Sequence, residues 1–140
     1  MRSGDLALRV AFIAISGCAR SEDSSGIPPG AYTTEMGRSD FSDSLPAGES
    51  DSMYGTWTLH FSPGHLAVDV KGNRVVEAPI QVSGNRITFD STDTGPVACH
   101  MPGTYTYAVE NGAIRFARVS DQCDGRAAVL TTHPLRKKSP

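Results

Sequence analysis

The sequence predicts an all-β domain: an antiparallel up-and-down barrel of about eight short strands, with a short helix between the first two. Three observations carry this expectation. Turn signals recur at short intervals, at Pro63-Gly64, Gly72-Asn73, Gly84-Asn85, Gly95-Pro96, Asn111-Gly112 and Asp124-Gly125, a spacing that suits strands better than long helices. Between the turns apolar and polar residues alternate with period two, which sorts them onto a dry face and a wet face. Tight turns make sequence neighbours pair as hairpins, and about eight strands can close a cylinder with no edge left bare.

Pro28-Pro29-Gly30 opens the domain, and the first strand is expected over Ala31–Met36. Ser39-Asp40-Phe41-Ser42-Asp43-Ser44-Leu45 then offers a capping serine and apolar residues four apart before Pro46, which reads as one or two helical turns. Phe41 and Leu45 would plug one end of the barrel, or the segment would act as a movable lid. Trp57, Leu59 and Phe61 share one face of the second strand, with Thr56, Thr58 and His60 on the other. Leu66, Val68 and Val70 follow, then Val76, Ala78, Ile80 and Val82, then Ile87 and Phe89. Pro79 cannot donate to a ladder, so a bulge or a weakly paired stretch is expected around it. Tyr105, Tyr107 and Val109 lead through Asn111-Gly112 to Ile114 and Phe116, since a two-residue type I′ hairpin needs positive φ at both central positions. Arg126–Thr132 is expected as the last strand. A sandwich with Greek-key connections is the alternative arrangement of the same strands.

The chain of 140 residues is one domain's worth. The expected organisation is an export signal over 1–18, a flexible tether over 19–29, the barrel over 30–135 and a basic tail over 136–140. A net charge of −2 argues against a nucleic-acid partner, and the basic run Arg136-Lys137-Lys138 reads as a solvated tail. No stretch approaches the roughly 20 apolar residues of a membrane-spanning helix. Arg2 and Arg9 precede the short apolar run Val10–Ile15, which leads into small residues, the pattern of an export signal. Ile15-Ser16-Gly17-Cys18 resembles the lipobox of bacterial lipoproteins, which implies that the Cys18 thiol carries a lipid and that the membrane is met only through this anchor. Secretion without lipid is the alternative. With Cys18 so used, Cys99 and Cys123 are left to pair, closing a loop of about 25 residues worth roughly 3–4 kcal/mol. Two free buried thiols would be the outcome in a reducing compartment.

Gly55-Thr56-Trp57 resembles the first motif of lipocalins and the wider calycins. The resemblance implies structural roles for Gly55, Trp57 and Arg126, with Trp57 closing one end of the barrel and stacking under Arg126 from the last strand. Gly103-Thr104-Tyr105-Thr106-Tyr107, Asn111-Gly112, Ile114-Arg115-Phe116, Asp121-Gln122-Cys123, Gly125-Arg126 and Thr132-His133-Pro134 are similar to the C-terminal half of small lipocalin-like domains of exported bacterial proteins. Pro29-Gly30-Ala31-Tyr32-Thr33-Thr34 is similar to their first strand. The chain lacks a Thr-Asp-x-x-x-Arg motif at the mid-barrel turn, and its helical segment between the first two strands resembles fatty-acid-binding proteins more than lipocalins.

Chemistry-bearing constellations are few. His60 and His65 flank Ser62-Pro63-Gly64 with no third ligand nearby. Cys99, His100 and Cys123 could bind zinc, but a disulfide uses the same thiols. Asp90, Asp93, Asp121 and Asp124 follow no calcium-loop spacing and read as turn formers. There is no Gly-x-Ser-x-Gly, no anchored carboxylate pair and no glycine-rich phosphate loop. The sequence therefore points to no metal, cofactor or catalytic set. What remains is the barrel interior. Tyr32, Trp57, Phe61, Phe89, Tyr105, Tyr107 and Phe116 are expected to point inward, and such walls suit a small apolar or aromatic ligand, unless the side chains fill the barrel. Arg118 shares the inward parity of Ile114 and Phe116, so it should sit at the rim, pair with a buried acid or receive an anionic head group. The expected function is that of an exported, lipid-anchored, lipocalin-like binder of a small, partly apolar ligand. The alternatives are a structural or protein-interaction domain acting through its threonine-rich outer face (Thr56, Thr58, Thr104, Thr106), and a barrel isomerase or cyclase. The oligomeric state stays open.

Overall fold

Eight strands run in sequence order around a closed antiparallel barrel in the computed structural model, which describes residues 26–41 and 52–139. They are β1 (Gly30–Met36), β2 (Gly55–Ser62), β3 (His65–Val70), β4 (Asn73–Ser83), β5 (Arg86–Phe89), β6 (Gly103–Glu110), β7 (Ala113–Asp121) and β8 (Leu135–Lys137). The period-two pattern works as expected. Tyr32 lies opposite Leu59, Leu59 opposite Val68 and Val68 opposite Val76, so one inward row crosses four strands. The alternation loses its meaning at strand ends, where Val82 and Val109 are exposed.

The turns follow from backbone chemistry. Asn111 (φ 51°) and Gly112 (φ 72°) both take the left-handed conformation that a type I′ hairpin requires. Lys71 (φ 50°) and Gly72 (φ 81°) do the same one residue earlier than expected, which frees Asn73 to begin β4. Pro79 lies where β4 changes partner: it is opposite His65 at the end of the β3 pairing, and Ile80 begins the pairing with β5. The register shift in this region falls instead at Val68/Asp69. The stretch of β4 not covered by β5 is edged by the loop 90–102, through reciprocal Glu77–Thr94 backbone bonds of 2.9 and 2.8 Å.

Three expectations are corrected. The α-helix among the described residues, α1 (Asp124–Thr131), lies near the C-terminus and takes the place of the expected final strand over Arg126–Thr132. Ala127, Val129 and Leu130 are its buried residues, and the spacing of the first two imitates a strand. Helix-favouring Ala and Leu, and Asp124 in the first turn beside the positive helix end, decide for the helix. Between β1 and β2 there is a short 3₁₀ turn at Arg38–Asp40. The rest of the helical segment expected there, including Leu45, lies outside the described residues, as do the export signal, Cys18 and tether residues 19–25. Last, β8 takes Arg136 and Lys137 out of the expected tail. It pairs with β1 through Tyr32↔Lys137 and Thr33↔Arg136, and with β7 through Ala113↔Arg136 and Ile114↔Leu135, which closes the barrel.

The end of the expected tether is pinned to the barrel. Ile27 packs against the core, and the Tyr32 hydroxyl donates to the Pro28 carbonyl at 2.8 Å. Cys99 and Cys123 form a disulfide that joins the loop 90–102 to the residue before α1, across a separation of 24 residues. Replacing both by Ala should lower stability by about 3.5 kcal/mol, the loop-entropy value for a closure of this length. The measurement is the urea midpoint of the double variant against the oxidised protein.

Candidate ligand cavity

Side-chain size divides the barrel interior into two parts. In one, aromatic rings fill the space: Tyr32 meets Phe61 edge-on with centroids 5.7 Å apart, and Phe116 lies 6.3 Å from Phe61 and 6.1 Å from Tyr107. In the other, β3 and β4 present Leu66, Val68, Val76 and Ala78, which are smaller. Here a cavity of about 440 Å³ remains, bounded by these strands, by Trp57 and Leu59 of β2, by Phe89 and by the loop 90–102. Val129 and Leu130 of α1 cover it from the barrel end.

All seven aromatic residues singled out from the sequence are buried. Only Trp57 and Phe89 of them line the cavity; Tyr32, Phe61, Tyr105, Tyr107 and Phe116 do not. Arg118 is not an inward charge. The register shift at Thr104/Tyr105 makes Val119 an extra residue in β7, and the long Arg118 side chain turns out at the strand end. Its Nη1 donates to the Asp121 carbonyl at 3.2 Å and to Asp124 Oδ1 at 3.1 Å, and the side chain is exposed. Gly55 has φ 116°, and a Cβ there would come within 2.9 Å of Lys71 Cε. Trp57 does close the cavity wall, but Arg126 does not stack with it. The indole Nε1 donates to the Met53 carbonyl at 2.8 Å and the ring lies 6.2 Å from Phe41, while the Arg126 guanidinium sits over Phe89, 4.9 Å from the ring centroid. Arg126 belongs to the first turn of α1 rather than to a strand, which re-aims it.

Beside the cavity is a buried polar cluster. Asp121, whose side chain is fully enclosed, accepts Arg126 Nε on Oδ2 at 2.6 Å and Arg126 Nη2 on Oδ1 at 2.8 Å. The Tyr105 hydroxyl also donates to Oδ2, and the Cys123 backbone N–H donates to Oδ1 at 2.8 Å. Gly103 makes room for the pair: a Cβ there would lie 2.5 Å from Arg126 Nη2 and 2.7 Å from Asp121 Oδ2. The residues carrying the sequence resemblance around Gly103, Tyr105, Asp121 and Arg126 thus meet in one place. Burial alone would raise the Asp121 pKa, but hydrogen bonds from Arg126, Tyr105 and the Cys123 N–H outweigh it and hold the carboxyl below its ordinary 3.8. Burial, reinforced by the neighbouring carboxylate, pushes the Tyr105 hydroxyl well above its ordinary 10.

Asp93 went unmarked in the sequence except as a turn former. It is buried, lines the cavity and accepts the Cys99 and His100 backbone N–H groups at 2.7 and 2.9 Å, which shapes the loop 90–102. Asp90 holds the Thr92 N–H at 2.8 Å, in keeping with a turn role. His60 lies opposite Ala67 and His65 opposite Ser62, so their rings do not face one another; His60 instead pairs with Asp69 at 2.9 Å. Among the described residues no three His, Cys, Asp or Glu side chains gather as a metal site.

No family model, curated protein or solved structure matches the chain.

Asp121→Asn should cost about 3–5 kcal/mol, because it strips a buried guanidinium of its counter-charge. The sign with pH follows from the depressed folded-state pKa. The Asp121 contribution is complete above the unfolded value and is lost as pH falls below about 4 and through the folded value. Urea midpoints measured from pH 7 down to pH 2 should show this acid limb in the wild type and a weaker one in Asp121→Asn.

Proposed function

We propose that the protein binds a small, largely apolar molecule, without transforming it, in the cavity under α1. One observation carries this reading: a space of about 440 Å³ is lined mainly by aliphatic and aromatic side chains, in a barrel whose other part holds aromatic rings in contact with one another. Small-molecule sites typically occupy roughly 300–1,000 Å³ and combine apolar walls with a few polar groups. Water in such a space finds few partners, so an apolar molecule that displaces it gains the burial of its own surface and of the walls. Trp57, Phe89 and the side chains of β3 and β4 supply contact area.

The isomerase or cyclase alternative finds no support in the polar cluster. Its carboxylate is held low rather than high, and neither Asp121 nor Tyr105 lines the cavity. The outer threonines offer no comparable feature for the interaction-domain alternative.

The same reading places the protein outside the cytoplasm, anchored through a lipid on Cys18 as a lipocalin-like lipoprotein. The disulfide supports it, since such bonds persist in oxidising compartments. Labelled fatty acid fed to a host that processes lipoproteins should enter the wild type and not Cys18→Ser; equal labelling would refute the anchor.

For the cavity itself, Val129→Phe adds volume where α1 covers the space. A neutral solvatochromic dye should bind the wild type saturably, and Val129→Phe should weaken it by at least about tenfold, or 1.4 kcal/mol. The urea midpoint should hold or rise. Equal dye affinity in both proteins, or none in either, counts against the reading.

A further inference from the structure

We infer that residues 93–100 form the door through which the cavity loads and empties, and that the Cys99–Cys123 disulfide is its latch: exchange is slow while the bond stands and fast once a dithiol reduces it. The inference rests on the binding role proposed above and adds its control. The wall of the cavity is not uniform. Trp57, Leu59, Phe89 and Leu130 are buried, whereas Pro96 is exposed and Val97, Ala98 and Cys99 are half-buried, so the lining reaches the surface at the loop 90–102. This loop stands where a strand would. β5 covers β4 from Ile80 to Ser83, and the loop takes the edge before it. It rests there on the reciprocal Glu77–Thr94 bonds and a longer one of 3.4 Å from the Val97 N–H to the Val75 carbonyl. Each such bond is modest in net terms, so this side of the wall parts readily.

The segment is built to move as one piece. Asp93 accepts the Cys99 and His100 N–H groups and so pinches its two ends together, and within it the Ala98 N–H donates to the Gly95 carbonyl at 3.2 Å. Beyond the pinch, the Met101 carbonyl accepts Arg126 Nη2 at 2.9 Å, which holds the base of the loop to α1. A compact lobe on such a base opens at a lower free energy than the barrel unfolds. The disulfide crosses from the lobe to the residue before α1, and both cysteines line the cavity. Two-electron reduction by dithiothreitol gives the Cys99 and Cys123 thiols while the reagent closes to its own cyclic disulfide. No heavy atom of the wall is lost, and the bonds to β4 then set the opening. Gly95 gives a second handle. A Cβ there would fall 2.2 Å from the Val75 carbonyl oxygen, so Gly95→Ala keeps the lobe from seating on β4 with the disulfide intact.

Stopped-flow mixing of the full chain with the neutral dye acetyl-dimethylaminonaphthalene reads both rate constants. A door changes the barrier and not the end state. Reduction should therefore raise association and dissociation together, each by at least about tenfold, and leave Kd within about threefold. Gly95→Ala in the oxidised protein should raise both by about fivefold, the weight of one lost hydrogen bond. Phe116→Leu, in the aromatic part of the barrel, lowers stability away from the loop and should leave both rates unchanged. Unchanged rates on reduction, a Kd that rises through dissociation alone, or equal acceleration by Phe116→Leu overturns the inference and leaves the binding role standing. No dye binding to the oxidised protein overturns both. Should the reduced protein not stay folded, Gly95→Ala decides the matter, and unchanged rates in that variant overturn the inference.

Discussion

The placement of α1 over the barrel end depends on one enclosed ion pair. Asp121 is the last residue of β7 and Arg126 lies in the first turn of α1, so their bidentate contact fixes how the chain turns from wall to cap. Tyr105 brings β6 into the same contact, and the absent side chain of Gly103 lets the groups close on one another. Energetically such a pair gains little over a well-packed apolar pair of the same volume, since both ions must leave water. Its effect is directional. A greasy helix face could settle on the barrel mouth at several angles, whereas a guanidinium fork against a carboxylate accepts very few. The disulfide one residue before α1 and the Phe89 ring under the guanidinium act on the same joint.

Side-chain size determines where the interior is filled and where it is hollow. Tyr32, Phe61, Tyr107 and Phe116 are large enough to meet across the barrel, and they do. Leu66, Val68, Val76 and Ala78 come from neighbouring strands and stop short of the opposite wall. The space lies beneath α1, whose Arg126 is held from the side by Asp121.

Much of the barrel was legible because period two is a property of each strand by itself. The row from Tyr32 to Val76 could be read off one residue at a time, and Asn111-Gly112 carries its turn geometry in two residues. The last element was not legible for a matching reason. Ala127 and Val129 satisfy a strand pattern, Ala127 and Leu130 a helical one, and a run this short cannot decide between them. The misplacement of Arg126 followed directly, since its partner depends on which element it begins. Arg118 had the correct parity but not the extra residue at Val119 that changes its surroundings. The cavity left the faintest trace. Aliphatic residues line it, and Leu66 or Ala78 looks the same in a sequence whether it touches a neighbour or a void. Asp93 was visible only as a turn residue, because its burial depends on a loop folding back against β4.

The meeting of β8 with its neighbours has a consequence for solubility. The hairpins are stitched along most of their lengths, whereas the circle is completed by short pairings around Arg136. Were those to part, a surface with no border would become a ribbon with two, and β1 and β7 would each show a row of bare amides and carbonyls. Such borders recruit strands from other molecules. Three residues at this seam, Leu135–Lys137, therefore keep the circle closed, and the two cations among them are the kind of side chain that discourages another strand from docking there.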